Sequence, residues 1–250
     1  MLRDEYLRRL TDAAHIELYL SANDGTRLYW PWRMHPPKEA TRGYRNACER
    51  YIIDSDPLDD SVTATDVLDT AHRLGAEVAS LQDVYQDKEG TVESLLRGFE
   101  AYDDHAFDGE LLLPLQRPYA ECWRELGEPK EHLLGIGGLK DATVADRLAA
   151  TESLRSAVGS EPHIHGFGWG VHGGLAQRIR EEPDLLDSID YSTPMQNITY
   201  DYSNGEESMS VAAIRAASQL IEDLRDVSPF VSDDPEASRA NGQGGLESWT

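Results

Sequence analysis

The chain has 250 residues, 40% of them hydrophobic, with 46 Asp and Glu against 23 Lys and Arg, a formal net charge of -23. That length and apolar fraction suit a single domain around one sizeable core, and no apolar run approaches the roughly 20 residues of a membrane-spanning helix. The start, MLRDEYLRRLTDAAH, is charged and amphipathic rather than signal-like, so a soluble cytoplasmic protein with no membrane partner is expected. Most of the positive charge is arginine, with four lysines at Lys38, Lys88, Lys130 and Lys140. An acidic, lysine-poor surface suits very high salt, where repulsion between surface charges is screened. In ordinary salt the same charge would oppose phosphate binding, whereas in molar salt that electrostatic term is weak. Cys48 and Cys122 stand far apart with no C-x-x-C pairing, which reads as two small buried residues.

Along the chain, short apolar runs alternate with amphipathic stretches of helix length. IELYLS (16–21) and RYIIDS (50–55) read as strands. SVTATDVLDTAHRLG (61–75) reads as a helix opened by Ser61 and closed by Gly75. A strand AEVASLQD (76–83) precedes a helix TVESLLRGFEAYDD (91–104) with a Thr-x-x-Ser start. ELLLPLQ (110–116) reads as a strand before the helical PYAECWRELG (118–127). HLLGIGG (132–138) is a strand, and TVADRLAATESLRSAVG (143–159) a helix ending in glycine. PHIHGFG (162–168) and LLDSID (185–190) are strands on either side of a helix GGLAQRIREE (173–182), and ESMSVAAIRAASQLIEDLRD (207–226) is the last helix.

Repeated strand–helix alternation with short connections implies parallel strands and right-handed crossovers. Seven strand candidates predict a (β/α)8 TIM-type barrel over residues 1–230, with one strand irregular or hidden near the N-terminus. The polar 231–250 segment is expected to be a disordered tail. A doubly wound open sheet competes, but no Gly-x-Gly-x-x-Gly or Walker-type loop is present, and no cofactor is expected.

In a barrel the active site lies at the C-terminal strand ends. Those ends read Asp54, Asp83, Gln116, Gly137–Gly138, His165–Gly166 and Asp190. Each alone has an ordinary reading as a turn or cap residue. Together they make a mouth of carboxylates, an amide and glycine backbone. Such a mouth suits a guanine-like base, whose N1–H and N2–H2 donate to one carboxylate while O6 accepts an N–H. A second carboxylate could attack a sugar carbon, and a third could move protons.

Six segments in order, YIIDSDP (51–57), ASLQDVY (79–85), PLQRPY (114–119), GIGGL (135–139), HIHGFGWG (163–170) and SIDYSTP (188–194), together resemble the motif series of the tRNA-guanine transglycosylase superfamily. These are (β/α)8 barrels that exchange guanine for a 7-deazaguanine, and the chain looks closer to the deazaguanine-inserting, DNA-modifying branch. The resemblance, over residues 45–200, implies Asp190 as nucleophile, with Asp187 its structural neighbour, and Asp54 as general acid/base. It implies Asp83, Gln116 and the backbone of Gly137, Gly138 and Leu139 on the base, and His165, beside Gly166, stacked over it. The partners implied are a 7-deazaguanine base and a nucleic acid, DNA favoured over tRNA, with partner proteins or a homodimer left open.

The chain departs from the family in four places. Asp56-Pro57 replaces two glycines, and Met195-Gln196 follows Pro194 where the family carries arginine. The C-x-C-x-x-C…His zinc motif and an extra C-terminal RNA-binding domain have no counterpart, so no structural metal is expected. Two other readings stay open. His163-x-His165, with His172 and Asp190, could serve a metal-dependent barrel hydrolase, or the chain could bind deazaguanine or nucleic acid without turnover. Tyr29-Trp30-Pro31-Trp32 could stack on a nucleotide or close a core. His35 and Arg45 could line the mouth. Arg42, Arg45 and Arg50 could meet phosphates or pair with surface acids.

Overall fold

The computed structural model describes residues 16–21, 29–56, 61–139, 141–171, 174–192 and 209–227. Eight short strands form a closed parallel barrel in sequence order: β1 (Glu17–Leu20), β2 (Trp32–His35), β3 (Arg50–Ile53), β4 (Val78–Ser80), β5 (Glu110–Leu115), β6 (Leu133–Ile136), β7 (Ile164–Gly166) and β8 (Ser188–Tyr191). The helices are α1 (Arg42–Arg45), α2 (Ala64–Leu74), α3 (Lys88–Asp103), α4 (Tyr119–Glu125), α5 (Val144–Val158), α6 (Gly174–Glu181) and α7 (Met209–Val227). This is the expected (β/α)8 architecture. The 231–250 tail, His172 and the Pro194–Gln196 stretch lie outside the described residues.

The strand hidden in the sequence is β2. A parallel strand normally reads as a continuous apolar run because both its faces are buried. In β2, Trp32 and Met34 face the barrel interior, whereas the buried Arg33 and His35 occupy the outer face. The two polar side chains are accommodated by aromatic rings. His35 stacks on Tyr44 of α1 at 4.5 Å and its Nδ1 meets the Tyr51 hydroxyl at 3.1 Å. The Arg33 guanidinium lies 5.1 Å from the centre of the Tyr44 ring. His35 is therefore packed behind the barrel wall rather than in its mouth. Trp30 is fully buried and donates its indole N–H to the Leu18 carbonyl at 2.7 Å, so the aromatic cluster closes a core.

Local chemistry fixes the helix ends. Thr63 with Asp66, and Thr143 with Asp146, form reciprocal capping boxes at the starts of α2 and α5. Thr63 thus takes the role expected of Ser61. Gly75 ends α2 in the left-handed region at φ 66. Helix α3 starts three residues before Thr91, capped by Asp87. Thr91 instead bonds both main-chain groups of Val84, holding the loop between β4 and α3.

Strand register sets the barrel interior. Glu17 pairs with Ser188, Tyr19 with Asp190, His165 with Ser188 and Gly135 with His165. Alternation then points Glu17, Tyr19, Arg50, Ile52, Leu112, Leu133, His163 and His165 inward. At the N-terminal end Arg50 pairs with Glu110 at 2.6 Å and lies 3.8 Å from Glu17. Arg42 donates to the Arg73 and Leu74 carbonyls, and Arg45 to the Gly75 carbonyl and the Glu77 carboxylate. These three arginines join helix and strand ends at the pole opposite the mouth, which removes them as phosphate contacts for it. Cys48 and Cys122 are buried and free.

Trp30→Ala should lower unfolding stability by about 3–5 kcal/mol, the range for emptying a buried aromatic site. A urea titration checks this, and a loss under 1 kcal/mol would contradict the packing described.

Candidate active site

Three strand-end carboxylates meet at the C-terminal mouth. Asp54 follows β3, where its carboxylate accepts the Ser55 N–H at 2.9 Å. Two residues on, the backbone enters the left-handed region at Asp56 (φ 50), which glycine adopts freely and aspartate tolerates. Asp83 sits in the loop after β4 that Thr91 anchors. Its carboxylate accepts a hydrogen bond from the Gln116 amide at 2.5 Å, while the Gln116 carbonyl oxygen accepts the Gln86 N–H at 3.2 Å. Gly137 completes this corner, because a Cβ there would lie 2.6 Å from Gln116 Nε2 and 3.1 Å from Asp83 Oδ2.

Asp190 projects from β8 with 18% of its side chain exposed. One carboxylate oxygen accepts the Gly168 N–H at 2.5 Å and the other the Ser21 hydroxyl at 3.3 Å. The loop that supplies Gly168 is held by Arg147 of α5, which donates to the Gly168 and Trp169 carbonyls at 2.6 and 2.7 Å. Asp187, at the other end of β8, accepts from Arg155 at 2.6 Å and from the Ile164 N–H at 2.7 Å. It ties β7, β8 and α5 together and has no place in the mouth.

A cavity of about 420 Å³ opens between these groups, walled by Asp54, Asp83, Gly137, Gly138, Leu139 and the rings of Tyr85 and Phe167. Gly168 also lines a neighbouring cavity of about 390 Å³, which holds Asp190, Ser192 and Arg147. Of the expected residues, Asp54, Asp83, Gly137, Gly138 and Leu139 line the first cavity, and Asp190 stands in the second. Gln116 is buried behind Asp83 and acts on the cavity through it.

Two expectations are corrected. His165 does not lie over the cavity: it is fully buried within the barrel, its ring edge-on to Tyr19 and Phe167. Phe167, two residues further along the same inward face, presents its ring to the cavity instead. Gly166 is also buried, and a Cβ there would strike the fully buried Trp169 ring at 2.8 Å. Its role is to admit that ring. Period-two alternation beyond His165 could have pointed to Phe167. Ser21 and Gly168 become visible only through the β1–β8 pairing and the fold of the β7 loop.

Burial raises the pKa of all three carboxyls. Asp54 is pushed up to about 7, first by desolvation and then by the charge of Asp190, with Asp83 and Asp56 adding to it against the Ser55 N–H. Asp83 is raised by burial, opposed by the Gln116 hydrogen bond. Asp190 is raised by burial, opposed by Gly168, Ser21 and the Arg147 charge. Such a site can shuttle a proton at neutral pH through Asp54 while presenting a second carboxylate as nucleophile. His163 and His165 both hydrogen-bond to Ser188 Oγ, at 2.7 and 2.9 Å. Among the described residues no group of three His, Cys, Asp or Glu is placed to hold a metal ion, which leaves the hydrolase reading without a ligand set there.

The fold and site define a closed (β/α)8 barrel with a three-carboxylate mouth. The chain matches no model of a known protein family, and no curated protein matches it in sequence.

Because Asp190's charge helps raise Asp54, Asp190→Asn should move the Asp54 midpoint down from about 7 in a carboxyl ¹³C NMR titration. A folded pKa above the unfolded one means that the native state gains protons, so Asp54 lowers stability as pH rises from about 4 to 7. Asp54→Asn should therefore be more stable than the wild type at pH 8, by about 1–3 kcal/mol, with the difference vanishing toward pH 4.

Proposed function

We propose that the protein is a base-exchange transglycosylase that replaces guanine by a 7-deazaguanine in a nucleic acid, with DNA favoured over tRNA. The observation that carries this reading is the meeting of Asp54 and Asp83 with glycine backbone in one ring-walled cavity, next to a cavity that holds Asp190.

A flipped-out guanine fits between the Tyr85 and Phe167 rings, its N1–H and N2–H2 facing Asp83. The Gly137 N–H is bonded to the Leu115 carbonyl and its own carbonyl to the Tyr119 hydroxyl. Recognition of O6 then falls to the N–H groups of Gly138 and Leu139. Asp190 attacks C1′ as the C1′–N9 bond breaks, and the electron pair leaves with guanine, which takes a proton from Asp54. The incoming deazaguanine returns a proton to Asp54 as its N9 attacks C1′ and the Asp190 carboxylate departs. Two inversions give retention, by the logic of retaining glycosidases.

Incorporation of labelled guanine into duplex DNA, single-stranded DNA or tRNA, assayed in high salt, tests the reading. Label should enter DNA with the wild type and fail to enter with Asp190→Ala. Asp83→Asn exchanges a paired acceptor for a half-donor and should raise the guanine dissociation constant at least about tenfold, the order of one charged hydrogen bond. Full exchange by Asp190→Ala would remove Asp190 as nucleophile. Absence of label from every polymer, with guanine still bound, would make the protein a binding module.

A further inference from the structure

Beneath the mouth, the barrel interior carries a line of polar side chains that the proposed chemistry does not use. Ser188 Oγ lies 2.7 Å from His163 Nε2 and 2.9 Å from His165 Nδ1. The far nitrogen of His165, Nε2, is buried with no hydrogen-bond partner among the described residues and lies 3.8 Å from Asp190 Oδ1. That same oxygen accepts the Gly168 N–H at 2.5 Å. A buried, unpartnered imidazole nitrogen facing a carboxylate is costly unless it carries a proton.

One hydroxyl proton shared by two rings allows two arrangements. In the first, Ser188 donates to His163 and accepts from His165 Nδ1–H, which turns a bare Nε2 lone pair toward the Asp190 carboxylate. In the second, His163 Nε2–H donates to Ser188, Ser188 donates to His165 Nδ1, and His165 presents Nε2–H to Asp190. The second arrangement replaces a repulsion by an attraction, and every donor along the line points toward the mouth. Burial keeps both rings neutral: desolvation lowers the pKa of His165, to about 3, and that of His163. His165 therefore meets Asp190 as a dipole, with no charge of its own.

The geometry points to His165 as a positioning residue that, with the Gly168 N–H, holds Asp190 Oδ1 in a two-donor cradle, so that Oδ2, which has only the longer 3.3 Å contact from the Ser21 hydroxyl, is the oxygen that attacks. This assignment rests on the proposed transglycosylase reading. When Oδ2 forms its bond to C1′ and the C1′–N9 pair leaves with the base, Oδ1 becomes the ester carbonyl oxygen. When the second base attacks C1′, the Oδ2–C1′ pair returns to the carboxylate, and the growing negative charge on Oδ1 falls on the two donors. A small carboxylate rotation closes the 3.8 Å gap, and catalytic hydrogen bonds commonly tighten in this way once substrate binds. Ser188 selects the tautomer, and His163 orients Ser188.

The test begins with ¹⁵N-histidine-labelled wild type, whose His165 signals are assigned by their loss in His165→Gln. Two-bond ¹H–¹⁵N correlation should show His165 protonated on Nε2, with that proton signal shifting in Asp190→Asn. Kinetically, His165→Leu should lower kcat for exchange about a hundredfold, the scale of one lost oxyanion donor, with guanine affinity unchanged by calorimetry. His165→Gln, which restores an N–H near the same place, should recover most of that loss. Ser188→Ala should mix the tautomers and lower kcat about tenfold, a fraction of the full donor loss. An Nδ1–H tautomer in the wild type, a kcat for His165→Leu within twofold of wild type, or no recovery with His165→Gln would each overturn the assignment. If His165→Leu does not fold, the wild-type tautomer and Ser188→Ala decide. If the wild type exchanges no base, the proposed function falls, and the tautomer with its response to Asp190→Asn still decides whether His165 donates to Asp190.

Discussion

The ladder between β1 and β8 is the constraint on which the rest of this molecule depends. Its four paired positions close the sheet, and a closed sheet has no edge at which register can slip. Closure sets which residues face the axis, and at what depth. It brings Ser21, at one end of the barrel sequence, beside Asp190 at the other, and it aligns Glu17, Ser188 and His165 across three strands. A slip of one residue in β8 would turn Ser188 and Asp190 to the outer face and take the Asp190 carboxylate out of the mouth.

Closure also creates the electrostatic problem from which the site's chemistry arises. Eight strands of three to six residues bring several carboxylates, each partly buried, into one narrow opening. Each responds to the hydrogen bonds it can find. Asp83 has Gln116 and Asp190 has Gly168 and Ser21, while Asp54 has the Ser55 amide and also feels the charges of the other two. Asp54, with one amide against the charges of both neighbours, is pushed up to about 7. Three carboxyls of identical type thus differ in solvation and in the hydrogen bonds that support their charged forms.

The barrel was legible in the sequence because most of its strands are continuous apolar runs, such as ELLLPLQ and HLLGIGG, followed by helices with evident caps. β2 was not, since Arg33 and His35 sit where the pattern asks for aliphatic residues, and their compensation by Tyr44 and Tyr51 depends on how the next helix and strand fold back on them. At the mouth, Asp54, Asp83, Gly137, Gly138 and Leu139 were legible as strand-end residues that share one cavity. The depth of a side chain was not. His165 in β7 and Phe167 just beyond it share one inward alternation, and only the structure shows that the first is buried beneath the mouth and the second lines the cavity. Gln116 was likewise assigned to the ligand, although it reaches the cavity through Asp83. The start of α3 was misread because Thr91, a good capping residue by type, is occupied with Val84.

The arginines carry one further consequence. Arg42, Arg45, Arg147 and Arg155 all spend donors on main-chain carbonyls at helix ends and loop corners. A carbonyl has no net charge for dissolved ions to neutralise, so these contacts act as rivets whose hold is far less sensitive to ionic strength than that of a surface ion pair. In a chain with twice as many acids as bases, cations bonded in this way fasten the scaffold without depending on long-range attraction. Concentrated brine would quiet the repulsion among the acids and leave the rivets in place.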